Sequence, residues 1–158
     1  MSNVKPTPEG YHSVTPYLFI KGAARAIDFY KNVFGAAEVV RMAAPNGQIV
    51  HAELKIGDSM IMMSDENPQI GALSPLSIGG TASGLHLYVP DVNAVIEKAV
   101  AAGAKPVRAV QDQFYGDRSG TVIDPFGHMW SVATHIEDVA PEEMRRRAAK
   151  AQAQAAGG

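Results

Sequence analysis

The chain contains no cysteine, which excludes disulfides, thiolate metal sites and cysteine nucleophiles together. No stretch approaches the roughly 18 apolar residues that would span a bilayer. Neither charge sign dominates: 14 Lys plus Arg stand against 16 Asp plus Glu, a formal net charge of −2. That balance gives no electrostatic reason to expect nucleic acid or an anionic membrane as a partner. The chain has no GxGxxG, P-loop or GxSxG pattern, so nothing supports a nucleotide cofactor or a nucleophile elbow. Met1 to Gly10 carry neither a basic segment nor an apolar run, and no secretory signal is expected there. The missing disulfides are compatible with a reducing cytoplasm, the expected location.

What is present suits one globular domain. The 158 residues are 46% hydrophobic and 19% charged, an ordinary balance for a packed core. Val14 to Ile20 is rich in β-branched and aromatic residues and reads as a strand. From Ala23, apolar residues recur at helical spacing through Ile27 and Tyr30 until Gly35, a residue suited to a left-handed stop. Three strands follow at 38–43, 48–56 and 59–64, with Asn46-Gly47 marking a hairpin between the first two. The segment 65–83 is rich in Pro, Gly and Ser and reads as a long loop.

The pattern then begins again. Gly84 to Val89 reads as a strand, Asp91 as a helix N-cap, and Gly103 as that helix's stop. Strands follow at 105–111, 115–123 and 128–134, with a turn at Asp124-Pro125-Phe126-Gly127. Tyr17-Leu18-Phe19-Ile20 matches His86-Leu87-Tyr88-Val89 at 86 − 17 = 69, and Gly35 matches Gly103 at 68. Gly57-Asp58 matches Gly127-His128 at 70. Near-constant offsets across strand, helix and turn indicate duplicated modules. The expected class is α+β: two tandem βαβββ modules, 14–64 and 84–136, whose curved mixed sheets surround a cleft. An arm, 1–13, precedes this single domain of 14–136. A C-terminal helix starting near Pro141 and a frayed tail fill 137–158.

Each sheet has one face for its helix and one left over. Leu18, Ala52, Leu54, Met60 and Met62 are expected on the helix side of the first. Thr15, Tyr17, Phe19, His51, Glu53, Ile61 and Met63 then point away. In the second module Leu85, Leu87, Val122, Trp130 and Val132 take the helix side, and His86, Tyr88, Thr121 and Ser131 look outward. Tyr17, Phe19, Met63 and Tyr88 would line an aromatic and thioether pocket for a flat organic ligand, or else form a dry interface. His51 and Glu53, two apart on one strand, suit a displaced divalent ion, a polar pair closing the cavity, or acid–base work with His86. Phe114, Tyr115, Asp117 and Arg118 form a second patch, in which Arg118 either holds an anionic ligand group or pairs with Asp117. His12, His128 and His135 are expected on the surface.

The repeated modules, FYKNVFG closing the first helix, HAELKIGDS, LHLYVPDV and DPFGHMW together resemble the vicinal oxygen chelate superfamily, the glyoxalase, bleomycin-resistance and ring-cleaving dioxygenase fold. GDRSGTVIDPFGHMWSVATHIED is similar to the ending of its PhnB-like branch. The resemblance implies a homodimer and a small-molecule site in the cleft. Its metal-dependent members place His, Gln or Glu at the start of each module's first strand and on its last strand. Those positions fall here on Thr15, Ile61, Gly84 and Ser131, none a ligand suited to a divalent ion. The resemblance therefore implies a protein that binds a small aromatic molecule without the usual metal and without another cofactor. Tyr17, Phe19, Met63, Tyr88, Tyr115, Arg118 and Ser131 would contact that molecule. The alternative is a glyoxalase-like lyase or isomerase using His51, Glu53 and His86, on a shifted divalent metal or as acid–base groups.

Overall fold

The computed structural model describes residues 4–157; the first three residues of the expected arm and Gly158 lie outside the described residues. The chain divides after Thr81 into two compact units. The first contains β1 (Tyr17–Ile20), α1 (Ala23–Phe34), β2 (Ala37–Ala43), β3 (Ile49–Ile56) and β4 (Ser59–Asp65). Its four-stranded sheet has the order β1-β4-β3-β2, with β1 parallel to β4 and the other neighbours antiparallel. The second unit contains β5 (Gly84–Tyr88), α3 (Val92–Ala101), β6 (Lys105–Asp112), β7 (Asp117–Ile123) and β8 (Met129–His135), in the equivalent order β5-β8-β7-β6. The α+β class and the tandem βαβββ pattern are as expected from the sequence. No helix among the described residues is long and apolar enough to cross a membrane.

The helices form where their stops and caps require. Gly35 ends α1 at φ 67°, the left-handed region that glycine enters without steric cost. Asp91 caps α3 by accepting from Ala94 N at 3.1 Å. Helix α1 has no capping side chain at Gly22, and the end of β4 supplies one from 43 residues downstream. Asp65 Oδ1 accepts from Gly22 N at 3.0 Å and Ala23 N at 2.9 Å, and Oδ2 accepts from Ile49 N at 2.7 Å. Thr134, at the matching end of β8, repeats the device by accepting from Val92 N at 2.9 Å.

The helix-side core of the first unit differs from expectation along β4. The turn Gly57-Asp58 leaves Ile56 directly opposite Ser59, so alternate residues from Ser59 share the face of Ile56, Leu54 and Ala52. Ile61 and Met63, at 4% and 0% exposure, therefore lie on the helix side. Met60 and Met62 take the other face, opposite Lys55 and Glu53. Met63 is thus a core residue beside Leu18 and Ala52, not part of a ligand wall. In the second unit the expected parity holds, with Val122, Trp130 and Val132 buried.

Register also sharpens the repeat. Leu18 pairs with Met63 and Leu87 with Val132, giving 87 − 18 = 69 and 132 − 63 = 69. Leu54–Ile61 corresponds to Val122–Trp130, giving 122 − 54 = 68 before the turn and 130 − 61 = 69 after it. The second unit's turn is one residue longer. The first-unit equivalent of Ser131 is accordingly Met62, since 131 − 69 = 62, and not Ile61.

Two further segments depart from the sequence reading. Within 65–83 the chain forms a 3-10 turn at Pro68–Ile70 and a short helix α2 at Pro75–Ile78. Glu66 fastens them, accepting from Ser74 N and from the Ser77 hydroxyl at 2.8 Å each. Helix α4 (Pro141–Ala156) begins at the expected proline but continues through the Ala- and Gln-rich stretch expected to fray, as the high helix propensity of those residues favours. Because Asp65 supplies three amides at once, Asp65→Ala is expected to lower stability by about 2 kcal/mol in urea unfolding. An unchanged midpoint would show that solvent replaces those bonds without cost.

Candidate functional site

The open face of the first sheet carries a connected set of polar and aromatic side chains. Tyr17, Met62 and Glu53 are successive partners across β1, β4 and β3, so they project to one side. Phe19 and His51 lie two residues along β1 and β3 from this row and share its side. The rings of Tyr17 and Phe19 are 5.4 Å apart, and those of Tyr17 and His51 5.6 Å apart. His51 Nε2 is 3.0 Å from Glu53 Oε1, and His51 Nδ1 is 2.9 Å from the Tyr17 hydroxyl. Tyr11, from the segment before β1, donates its hydroxyl to the other oxygen of Glu53.

This chain of bonds fixes the imidazole. With Nε2–H directed at a carboxylate, a neutral His51 presents Nδ1 as an acceptor to the Tyr17 hydroxyl. Both ring nitrogens are therefore engaged within the unit. The expected pairing of His51 with Glu53 is present, whereas Tyr11 was missed: it lies outside the repeated pattern and has no spacing relation to Glu53. A cavity of about 380 Å³ opens beside these residues. Tyr17, Phe19 and Val50 line it together with Glu66, Asn67 and Ile70 from the loop after β4. The sequence reads that segment as a long loop and names no site residue within it.

The second sheet's open face holds His86, Tyr88, Thr121 and Ser131, as expected. The rings of His86 and Tyr88 meet edge to face at 4.8 Å. Asp117 lies on this same face through its pairing with His135 and is 4% exposed. Its carboxylate accepts from the Tyr88 hydroxyl at 2.8 Å and from His135 Nδ1 at 2.7 Å. His135 Nε2 also donates to Asp138 at 2.8 Å. His135 therefore belongs to a buried-carboxylate pair, which its position at a strand end did not reveal. His128 is buried rather than on the surface; its amide, that of Phe126 and the Trp130 indole all donate to Asp124, which closes the β7–β8 turn.

Arg118 does not join this face. It follows Asp117 in β7 and so projects to the α3 side, where it donates to Asn93 at 2.9 Å and Asp112 at 2.8 Å. The expected Asp117–Arg118 pair is thus replaced by two separate sets of partners, because adjacent strand residues point oppositely. Tyr115 packs edge to face on Phe114 and is 37% exposed, in the turn before β7.

The metal positions of the resembled family become Thr15, Met62, Gly84 and Ser131 once register is applied. Two hydroxyls, a thioether and a residue without a side chain do not fit a divalent ion, which takes imidazole and carboxylate donors. Among the described residues, no group of three or more His, Cys, Asp and Glu side chains is arranged to hold one.

Paired βαβββ units, each with one sheet face covered by a helix and one left open, define the class. The chain belongs to the Glyoxalase/Bleomycin resistance protein/Dioxygenase superfamily, whose family model matches residues 10–132. It is 40% identical over 146 residues to an uncharacterised protein of Mycobacterium bovis, covering 90% of this chain and 92% of that one. Among solved structures it is similar to TioX from Micromonospora sp. ML1, at 27% identity and a TM-score of 0.59, covering 82% of this chain and 100% of that one. A PhnB protein from Bacillus cereus shares the fold at 18% identity and a TM-score of 0.62, covering 78% and 99% of the two chains.

The hydrogen bonds around Asp117 shift its neighbours' titration. The bond to Asp117, and then that to Asp138, holds the His135 imidazole above its ordinary pKa. Burial pushes the Asp117 carboxyl up, but the bonds from His135 and Tyr88 outweigh it and leave the group below the usual carboxylate value. The His135 contribution to stability is present below the ordinary imidazole pKa and lost as pH rises through the elevated one. That of Asp117 is present above the ordinary carboxylate pKa and lost as pH falls through the depressed one. The stability difference between wild type and Asp117→Asn should therefore be greatest between about pH 4 and 6.5. NMR titration should show the His135 pKa falling toward its ordinary value in that variant; no change would mean that Asp117 does not hold the imidazolium.

Proposed function

We propose that the protein binds a small, planar organic molecule on the open face of its first sheet, without the metal of its metal-dependent relatives. The observation that carries this reading is the aromatic wall there. Tyr17 and Phe19 remain 40% and 37% exposed while packed on one another beside a cavity of about 380 Å³. Exposed rings held by cross-strand neighbours lose little freedom when a ligand covers them. The polar groups beneath are already bonded to each other, so they offer orientation at the wall's edge rather than free ligands for an ion. Tyr88, Tyr115 and Ser131 are proposed as ligand contacts within the second unit itself. A homodimer and a cytoplasmic location are proposed with it, on the family resemblance.

A planar bicyclic probe such as 2-naphthol should bind saturably in calorimetric titration. Phe19→Ala and Tyr17→Ala should each weaken it about tenfold, the order expected for losing one face of aromatic contact. Absence of saturable binding, or variants that bind as well as wild type, would reject the reading.

The chain Tyr11–Glu53–His51–Tyr17 favours a second reading, a lyase or isomerase in which His51 moves a proton and Glu53 holds its ring. His86 is proposed as an acid–base group within the second unit. A carbonyl compound bound to such an enzyme should exchange its α-proton in D₂O, and His51→Gln should abolish that exchange. Exchange that survives in His51→Gln would remove His51 from the chemistry.

A further inference from the structure

The open face of the second sheet has a composition unlike that of the first. Its four strands, in the order β5-β8-β7-β6, place one hydrogen-bonding residue each in a single cross-strand row. His86 pairs with Ser131, Ser131 with Thr121, and Thr121 with Arg108. All four line one cavity of about 400 Å³, whose apolar part includes Val107 and Met129. No Asp or Glu lines it.

The chemistry of this row is that of a donor. Arg108 brings a permanent charge and a planar fork of N–H groups. The hydroxyls of Ser131 and Thr121 rotate to donate, and His86 carries an N–H in either protonation state. Arg108 is exposed and has no ion-pair partner among the described residues. The acidic group on this face, Asp117, is four residues along β7 from Thr121, and Tyr88 and His135 engage both its oxygens. The guanidinium is therefore left facing the cavity without a counter-charge. Arg118, the arginine that sequence reading put forward for an anion, is by contrast neutralised by Asp112 on the other side of the sheet.

We infer that this row is a binding site for a small organic carboxylate, its oxygens held by Arg108, Thr121 and Ser131 and its apolar body set against Val107 and Met129. One permanent cation matches one carboxylate charge, whereas a phosphate dianion would leave charge uncompensated. The volume lies at the small end of ligand pockets. The first unit contributes none of these residues.

Calorimetric titration or amide chemical-shift perturbation of the full chain with hexanoate, benzoate, hexanamide, benzamide and inorganic phosphate tests the assignment. The carboxylates should bind saturably, at least tenfold more tightly than their matched amides and more tightly than phosphate, with shifts centred on residues 86, 108, 121 and 131. Arg108→Gln, at an exposed position where folding is not at risk, should weaken hexanoate ten- to a hundredfold, the range of a lost charge-assisted bond. Thr121→Val should weaken it several-fold. Equal affinity for acid and amide, tighter binding of phosphate, no saturable binding, or an Arg108→Gln variant that binds as wild type would overturn the assignment.

Discussion

Strand register decides what each sheet face offers. In the first unit it is set by one two-residue turn. Gly57-Asp58 fixes Ile56 opposite Ser59, and from that pair alternation assigns every residue of β4 to core or open face. Had the turn been one residue longer, as it is in the second unit, Met62 would face α1 and Met63 would join Tyr17. The placement of Met62 beside Tyr17 and Glu53, and with it the identity of the family's vacated ligand position on β4, follows from this pairing. The second sheet shows the same dependence: the row His86–Ser131–Thr121–Arg108 exists only because four strands are aligned at those residues.

Most of the architecture was legible in the sequence because each signal has a local physical cause. Gly35 and Asp91 act where a helix must stop or start, and the 69-residue offset exposes the duplication. The errors lie where the cause is not local. Met63 was misplaced because parity was assigned to β4 from its own apolar residues, all of which are hydrophobic on both faces. Carrying the face of Ile56 through the turn gives the right answer. The offset of 70 taken across Gly57-Asp58 hid a one-residue difference in turn length, and with it the equivalence of Met62 and Ser131.

The candidate sites divide in the same way. His51 and Glu53, two apart on one strand, were recognisable as a pair; Tyr11, which completes their hydrogen bonding, approaches from 42 residues away. Asp117 and Arg118 looked like an ion pair by adjacency, yet adjacency in a strand separates them. Asp117 instead finds Tyr88 and His135, respectively 29 and 18 residues distant in sequence. Arg108 carried no motif and became visible only through its pairing with Thr121.

The two open faces have different chemistry for one reason: the duplicated scaffold was kept and its outward residues were not. Phe19 corresponds to Tyr88, Tyr17 to His86 and Met62 to Ser131, so the first face is aromatic and thioether-rich while the second is rich in donors. The most direct test of this account is the stability of Met62→Glu against Met63→Glu in chemical unfolding. Met62 on the open face should accept the charge at a cost of about 1 kcal/mol or less, and Met63 in the core should lose about 4 kcal/mol or more. The reverse order, or equal losses, would contradict the register on which the first unit's open face rests.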